Sequence, residues 1–201
     1  MYSNIFKSNI FSRLVMMALV LMLNVPVSIT ASDLSDATEM RKKCEDEYRA
    51  LEISVNNFGN SYVKRKYEQA GGMLKDGKLC LAQSKYKEAM EIYKKYMTQN
   101  TDIYRDLAID YIKRAEAMYN ETAADLVDYY DNDKVSQYFR LAKQNVDDAK
   151  KASAANNYRL AVDLAKISKK YSIESYNAAG KTVPDKYKIG KLEDLHKNIF
   201  K

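Results

Sequence analysis

The sequence predicts an all-α protein built of antiparallel helical hairpins, as a repeat array or an elongated bundle, with a short C-terminal tail. Apolar residues recur every three or four positions through most of the chain, which is the period of an amphipathic helix. No segment before Lys181 alternates apolar and polar residues as a half-buried strand does. The 201 residues include only 6 Gly and 2 Pro, too few for a β-sandwich or barrel, which needs a turn about every ten residues.

The first residues have the features of a secretory signal peptide. Lys7 and Arg13 precede an unbroken apolar run at 14–23, and small residues follow before Ser32. The run is shorter than the roughly 20 residues that cross a hydrocarbon core. We therefore expect residues 1–31 to be cleaved, leaving a periplasmic or secreted protein without a membrane span; an uncleaved membrane anchor is the alternative.

Residues 32–180 form the predicted helical domain, and its first three helices each show one apolar stripe. The first begins at Asp36 and stops at the polar break 56–60, the second follows from Tyr62, and the third covers about 85–99. The predicted inward residues are Met40, Cys44, Tyr48, Leu51 and Val55; Tyr62, Val63, Tyr67, Ala70, Leu74 and Leu81; and Tyr86, Ala89, Met90, Tyr93 and Met97. Gly71 and Gly72 interrupt the second helix, either to admit a close neighbour or to mark a kink.

Three further helices complete the predicted domain. Asp102 caps the fourth, which continues to Asp131; turns at 131–133 and 156–157 delimit the fifth and the sixth, which ends near Gly180. Their predicted inward residues are Ile103, Leu107, Tyr111, Ala115, Met118, Thr122, Leu126 and Tyr129; Val135, Tyr138, Leu141, Ala142, Val146, Ala149 and Ala152; and Tyr158, Ala161, Leu164, Ala165, Ser168 and Tyr171. The short loops predict antiparallel neighbours.

One hairpin has a further pattern. A glycine assigned to the turn, Gly77, is followed by Tyr86, by Ala89 three residues on and by Tyr93 four beyond. Residues 77–93 therefore resemble a tetratricopeptide repeat, and 152–171 look like a degenerate second copy, offset by about twice the repeat length. The resemblance implies a TPR-like array of stacked hairpins that binds proteins.

Cys44 and Cys80 are the only two cysteines. In an oxidising compartment they can form a disulfide. Two separate buried thiols, behaving as small apolar side chains, are the alternative. Sequence spacing does not decide between them, because a bridge requires Cα atoms within about 7 Å.

The residues offer no constellation for catalysis or for a cofactor. His196, the only His, lies in a Lys-rich tail, and one His with two Cys cannot supply the four ligands of a structural zinc site. No Gly-rich phosphate loop follows a strand. Residues 32–201 carry a net charge of +4, and the tail 181–201 accounts for +3 of it, so the body lacks the basic face that nucleic acids require. We expect no enzyme, cofactor, metal or nucleic-acid partner.

The 17 Tyr are the most distinctive feature of the composition. Most lie on the inward stripes, where ring packing is expected. Tyr119 and Tyr130 lie beside the stripe, and exposed tyrosine is favoured at protein interfaces. In the basic tail, residues 181–201, apolar side chains at helical spacing form a second predicted surface: Leu192, Leu195, Ile199 and Phe200. These residues predict protein partners or self-association.

The predicted function is that of an exported scaffold or adaptor. The composition and helical architecture are similar to those of all-helical periplasmic proteins of spirochaetes, some of which coat or brace periplasmic flagella; this resemblance implies structural assembly in an envelope or flagellar structure. Residues 182–189 look like the opening of a LysM-type glycan-binding module, which implies peptidoglycan binding through the tail as an alternative. A second alternative is a Tyr-lined carrier of a small apolar ligand.

Overall fold

The computed structural model describes residues 31–187, and within them all regular structure is helical. The five α-helices are α1 (Ala31–Phe58), α2 (Ser61–Ala82), α3 (Tyr86–Asp125), α4 (Asp133–Ala154) and α5 (Tyr158–Ala178). Two single 3₁₀ turns follow α3 and α5, at Val127–Tyr129 and Asp185–Tyr187. The all-α prediction is confirmed for this part of the chain, whereas the predicted signal peptide lies almost entirely outside it.

The number of helices differs from the prediction, because the third and fourth predicted helices are one. α3 has 40 residues and is therefore about 60 Å long. Asp102 does not cap a new helix; it lies within α3 and pairs with Arg105 at 3.0 Å. Asn100 is buried at 4% exposure, and the hydroxyl of Thr101 donates to the Met97 carbonyl at 3.0 Å. Tyr96 before this polar segment and Ile103 after it are fully buried, and this burial outweighs the segment's local preference for a turn.

The start of the first helix was also predicted wrongly. α1 begins at Ala31, so Asp36 lies in its second turn, where it accepts a hydrogen bond from Ser32 Oγ at 3.3 Å. The helix therefore extends five residues further towards the N-terminus than the capping pattern predicted.

α3 is the central helix of the fold and packs against each of the other four helices. α1 and α2 cover its N-terminal half, whereas α4 and α5 cover its C-terminal half. α1, α3 and α5 run parallel to one another, and α2 and α4 run antiparallel to them. Two contacts for each pair of helices establish these directions. The parallel pairs are α1 and α3, through Cys44–Tyr93 and Phe58–Tyr111, and α1 and α5, through Glu47–Arg159 and Ser54–Lys166. The antiparallel pairs are α2 and α3, through Gly77–Tyr93 and Lys66–Asp106, and α4 and α5, through Ala142–Ser168 and Asn132–Ala178.

The turns are set by asparagines. Asn60, Asn132 and Asn157 precede α2, α4 and α5, and each side chain accepts backbone N–H groups of the helix that follows. Asparagine is a preferred cap because its side-chain oxygen satisfies donors that have no partner within the helix. Asn156 has φ 60°, a left-handed conformation that asparagine tolerates better than most residues. The predicted turn at 156–157 is confirmed. The turn predicted at 56–60 is confined to 59–60, because α1 continues to Phe58, and the helix predicted to reach Asp131 ends at Asp125, so the turn before α4 is longer than 131–133.

Tyrosine rings fill much of the core; among the buried ones, the stripes predicted Tyr67, Tyr93 and Tyr111 but missed Tyr96, Tyr104 and Tyr176. The buried tyrosines are Tyr67, Tyr93, Tyr96, Tyr104, Tyr111 and Tyr176. One continuous apolar cluster includes residues of all five helices. Tyr62 was wrongly placed on the inward face: it is 53% exposed, and the neighbouring Val63 is buried instead.

The C-terminal end of α1 lies among cations from other helices. α1 has no basic residue in its last turn. The Arg114 guanidinium lies 4.3 Å from the centre of the Phe58 ring, and the Lys169 ammonium lies 5.8 Å from it. Lys166, although only 7% exposed, donates to Ser54 Oγ at 3.0 Å. These contacts join α1 to both α3 and α5.

Two glycines of α2 allow tyrosine rings to approach its backbone. A Cβ at Gly71 would lie 2.6 Å from Tyr48 Oη, and one at Gly77 would overlap the ring of Tyr93. Gly72, by contrast, has open space where its Cβ would be. The close approach predicted for the glycines of this helix is therefore observed at Gly71. Gly77 lies inside α2 and not at the turn, which is at 83–85.

Alanine substitution is expected to have opposite effects on stability at Gly77, which has no room for a Cβ, and at Gly72, which has open space. Gly77→Ala places a methyl group against the buried Tyr93 ring, and we expect it to destabilise the fold by about 1–3 kcal/mol. Gly72→Ala meets no atom and improves helix propensity, so we expect a gain of up to about 1 kcal/mol. Urea denaturation followed by circular dichroism measures both, and a loss of stability in Gly72→Ala would contradict the packing described for α2.

Alkaline titration probes the buried tyrosines. Burial raises the pKa of Tyr93 to about 12. It also raises the pKa values of Tyr67, Tyr96, Tyr104 and Tyr176. In the unfolded chain a tyrosine has a pKa of about 10. The unfolded chain therefore releases its protons at lower pH, and stability falls as pH rises above about 10. We expect tyrosinate absorbance to rise in two stages, with the second coinciding with loss of helical signal. A single transition near pH 10 with the helices intact would contradict this.

Candidate functional site

The two predicted surface tyrosines lie together on one side of the molecule. Tyr119 of α3 stacks on Phe139 of α4, with ring centroids 4.5 Å apart. Tyr130, between α3 and α4, meets the same ring edge-on at 5.3 Å. We call Tyr119, Tyr130 and Phe139 the aromatic patch. Tyr130 is 42% exposed and Phe139 is 9% exposed, whereas Tyr119 is partly buried against the core, so the buried Phe139 ring contacts one exposed and one half-buried tyrosine.

The aromatic patch keeps its hydroxyl groups neutral. Burial raises the pKa of both Tyr119 and Tyr130, and the Lys143 ammonium partly offsets the rise at Tyr119. Lys143 itself pairs with Asp147 at 2.7 Å. At neutral pH the aromatic patch therefore offers apolar ring faces and hydroxyl groups that can donate a hydrogen bond, the combination that is enriched in protein interfaces.

The second predicted surface lies outside the described residues. Leu192, Leu195, Ile199 and Phe200 belong to this part of the tail, as does His196. Residues 181–187, which begin the tail, pack on the C-terminal end of α3.

The contacts of this first tail segment are mainly polar. Lys181 Nζ donates to the Asp125 carbonyl at 2.8 Å and lies 4.6 Å from the centre of the Tyr129 ring. The Tyr187 hydroxyl donates to Glu121, which also pairs with Lys186. Hydrogen bonds from these two residues lower the pKa of the Glu121 carboxyl. The segment therefore returns along the end of α3.

A polar crevice that the sequence did not indicate lies beside the middle of α3. Its volume is about 190 Å³. We define it by its lining residues, which come from α1, α3, α5 and the turn before α5: Glu47, Met97, Asn100, Thr101, Tyr104, Asn156, Asn157, Tyr158 and Arg159. Asn156 and Asn157 were predicted as a turn, and Asn100 falls in the break predicted between the third and fourth helices.

Charged and hydroxyl groups meet inside this polar crevice. The guanidinium of Arg159 donates through Nη1 to Glu47 Oε1, and the Tyr104 hydroxyl donates to Glu47 Oε2 at 3.4 Å. The Glu47 side chain is only 13% exposed, whereas that of Arg159 is 55% exposed. Burial, reinforced by the Glu47 charge, raises the pKa of Tyr104, so this hydroxyl keeps its proton at neutral pH.

A second, larger cleft lies between α1 and α2. Its volume is about 370 Å³, and four of its seven lining residues are charged: Glu45, Arg49, Lys75 and Lys78, with Tyr48, Gly71 and Leu74 as the floor. Lys78 pairs with Glu45 at 3.1 Å.

Both cysteines are free thiols in the structure. Cys44 is fully buried between α1 and α3, with its sulfur 3.9 Å from the Tyr93 carbonyl. Cys80 on α2 is partly buried against the same core. Burial raises the pKa of Cys44 to about 11, so this thiol is a poor nucleophile at neutral pH.

Residues 31–187 contain no cluster of three or more His, Cys, Asp or Glu side chains that could hold a metal ion. Within the same range, no helix is both long and apolar enough to cross a bilayer. Comparisons with protein-family models, with curated proteins and with solved structures find no significant match to this chain.

The burial of Cys44 predicts unequal thiol reactivity. At pH 8 only about one Cys44 thiol in a thousand is ionised if its pKa is near 11. We expect a thiol reagent to modify Cys80 at least about ten-fold faster than Cys44 in the native protein, with the two rates converging in denaturant. If neither thiol reacts in denaturant until a reductant is added, the cysteines are bridged and the free-thiol arrangement is wrong.

Proposed function

We propose that this chain is an exported, non-enzymatic helical scaffold that binds other proteins in the periplasm or outside the cell. The signal peptide that the sequence predicts in residues 1–31 supports the location, and the five packed helices support a role in presenting a surface. On this proposal the α2–α3 and α4–α5 hairpins act as TPR-like units stacked along a shared helix. The scaffold serves structural assembly in an envelope or periplasmic-flagellar structure.

The aromatic patch is the observation on which this proposal depends. Tyr119 and Tyr130 are held by Phe139 at 4.5 and 5.3 Å, so little rotamer freedom remains to be lost when a partner binds. Tyrosine is among the residues that dominate binding energy at interfaces. Val127, three residues before Tyr130 in the chain, is a further exposed apolar side chain.

Site-specific photo-crosslinking in the native cell tests the proposal. A photoreactive phenylalanine analogue replaces Tyr130 in one version of the protein and Tyr62, which is 53% exposed on α2, in the matched control. We expect discrete adducts with protein from position 130 and few from position 62. Mass spectrometry of the recovered chain should also give an N-terminus near Ser32. Absence of adducts at 130, or a chain that stays cytoplasmic with residues 1–31 intact, would refute the scaffold proposal.

A substitution measures how much the aromatic patch contributes to binding. We expect Tyr130→Ser to reduce capture of the crosslinked partner by about ten-fold, the effect of losing an interface anchor, with only a small loss of thermal stability because the side chain is 42% exposed and contacts the core only through the edge of Phe139. Tyr62→Ser is the control and should leave capture unchanged.

A further inference from the structure

The α4–α5 hairpin has a second apolar side besides the one that packs in the core. We call this side the outer face and define it by five half-buried residues and one exposed residue of the two helices: Tyr138, Leu141, Leu160, Leu164, Ile167 and Tyr171. Its four α5 residues recur at steps of four, three and four, so they form one stripe along that helix. Tyr138 stacks on Tyr171 across the hairpin, with ring centroids 6.1 Å apart, which joins the two helices into one surface.

Contacts within residues 31–187 cover the outer face only in part. The helices that pack most closely on α5 are α4 and α3, and its buried residues lie on another side of the helix. Four outer-face residues were predicted from their spacing to face inward: Tyr138, Leu141, Leu164 and Tyr171. In the structure these four are only half-buried, and Leu160 is 44% exposed. A contiguous apolar surface of this kind marks an interaction site.

Charged residues of α5 border the outer face on one side. Of the six charged residues in this helix, Lys166 and Lys169 are buried. The other four alternate in sign along the helix: Arg159, Asp163, Lys170 and Glu174. At 3.6 residues per turn they lie on the side opposite Ser168, which contacts α4. An apolar stripe with a charged border is typical of a helix that packs against another helix.

The order of these charges matches a second copy of the same helix. Asp163 and Lys170 are equally distant in sequence from a point between residues 166 and 167. Arg159 and Glu174 are equally distant from that same point. If two copies of α5 pack antiparallel about a twofold axis there, the charged borders meet, and each acid of one copy lies opposite a base of the other. This symmetry favours self-association over an unrelated partner.

The outer face is large enough for a stable dimer. α5 has 21 residues, so it is about 30 Å long, and two helices side by side are about 20 Å wide, which gives about 600 Å² for each copy. Two copies would bury about 1,200 Å² in total, the lower limit of a standard interface. Exposed ion pairs contribute little to affinity. The apolar stripe therefore supplies the affinity, and the charges set the orientation.

We propose that two copies of this chain associate through their outer faces, with α5 antiparallel to its symmetry mate and the twofold axis near Ile167. Leu164 of each copy packs between Ile167 and Tyr171 of the other. Two symmetric contacts between Asp163 and Lys170 set the register. The aromatic patch is not part of the outer face, so this dimer does not depend on the scaffold function.

Sedimentation equilibrium of the purified protein tests this proposal. We expect a mass twice that of one chain at micromolar concentrations. Ile167→Glu places a charge at the twofold axis and should give a monomer whose helical circular dichroism is unchanged. Ile109→Glu is the matched control, because Ile109 is 60% exposed on α3, and it should stay dimeric. An unmodified chain that is monomeric up to about 100 µM, or a dimeric Ile167→Glu variant, would overturn the proposal.

Two charge variants test the antiparallel register without changing the apolar stripe. In a dimer of Lys170→Glu, acids face each other across the axis, and in a dimer of Asp163→Lys, bases do. We therefore expect each variant alone to dimerise at least about five-fold more weakly than the unmodified chain. An equimolar mixture of the two variants should form heterodimers with nearly the original affinity, because each introduced charge then faces its opposite.

The mixture separates contacts between copies from ion pairs within one chain. An ion pair within the chain is lost in each variant and is not restored by mixing, whereas a contact between copies is restored. A mixture that dimerises no better than the variants alone, or single variants that dimerise as tightly as the unmodified chain, would rule out the proposed dimer.

Discussion

The fold depends on the buried stripe that runs along the whole of α3. Every other helix packs on this stripe, and one apolar cluster joins residues of all five. A pair of hairpins joined by a loop would have two separate cores. Because α3 has no break, α1 and α2 on one half and α4 and α5 on the other are held to the same 40-residue element. Tyrosine suits this role, since its ring fills the space that glycine and alanine leave on neighbouring helices.

Much of this arrangement follows from local patterns. The stripes predicted many of the inward residues but missed the buried Tyr104, Phe139 and Tyr176. The asparagine turns were found because capping depends on a single side chain and the amides next to it. The break at 99–102 was predicted wrongly for the same reason. Its residues have the local preferences of a helix end, and only burial of Asn100 against distant parts of the chain reveals that the helix continues. Tyr62 and Val63 were both predicted to face inward, but adjacent helical residues point about 100° apart, and only Val63 is buried.

The candidate sites differ in how far sequence could predict them. Tyr119 and Tyr130 were predicted as surface residues because they lie next to a strong stripe, but their common contact with Phe139 depends on the packing of α3 on α4. The polar crevice joins Glu47, Asn100 and Arg159, which are more than fifty residues apart in the chain. No local pattern brings such residues together. The two sites are separated by roughly 30 Å along the helix axis, with α4 extending between them.

The parallel direction of α1, α3 and α5 has an electrostatic consequence. Each helix carries a macrodipole with its negative pole at the C-terminus, and because α1 is parallel to but shorter than α3, its negative pole at Phe58 is packed against the middle of α3, beside Tyr111. The cations around Phe58 lie where this pole is buried. The position of this helix end therefore accounts for three cations that act as its counter-charges: Lys166 and Lys169 on α5 and Arg114 on α3. Such basic residues inside a helical protein reflect chain direction and need not indicate an anionic partner.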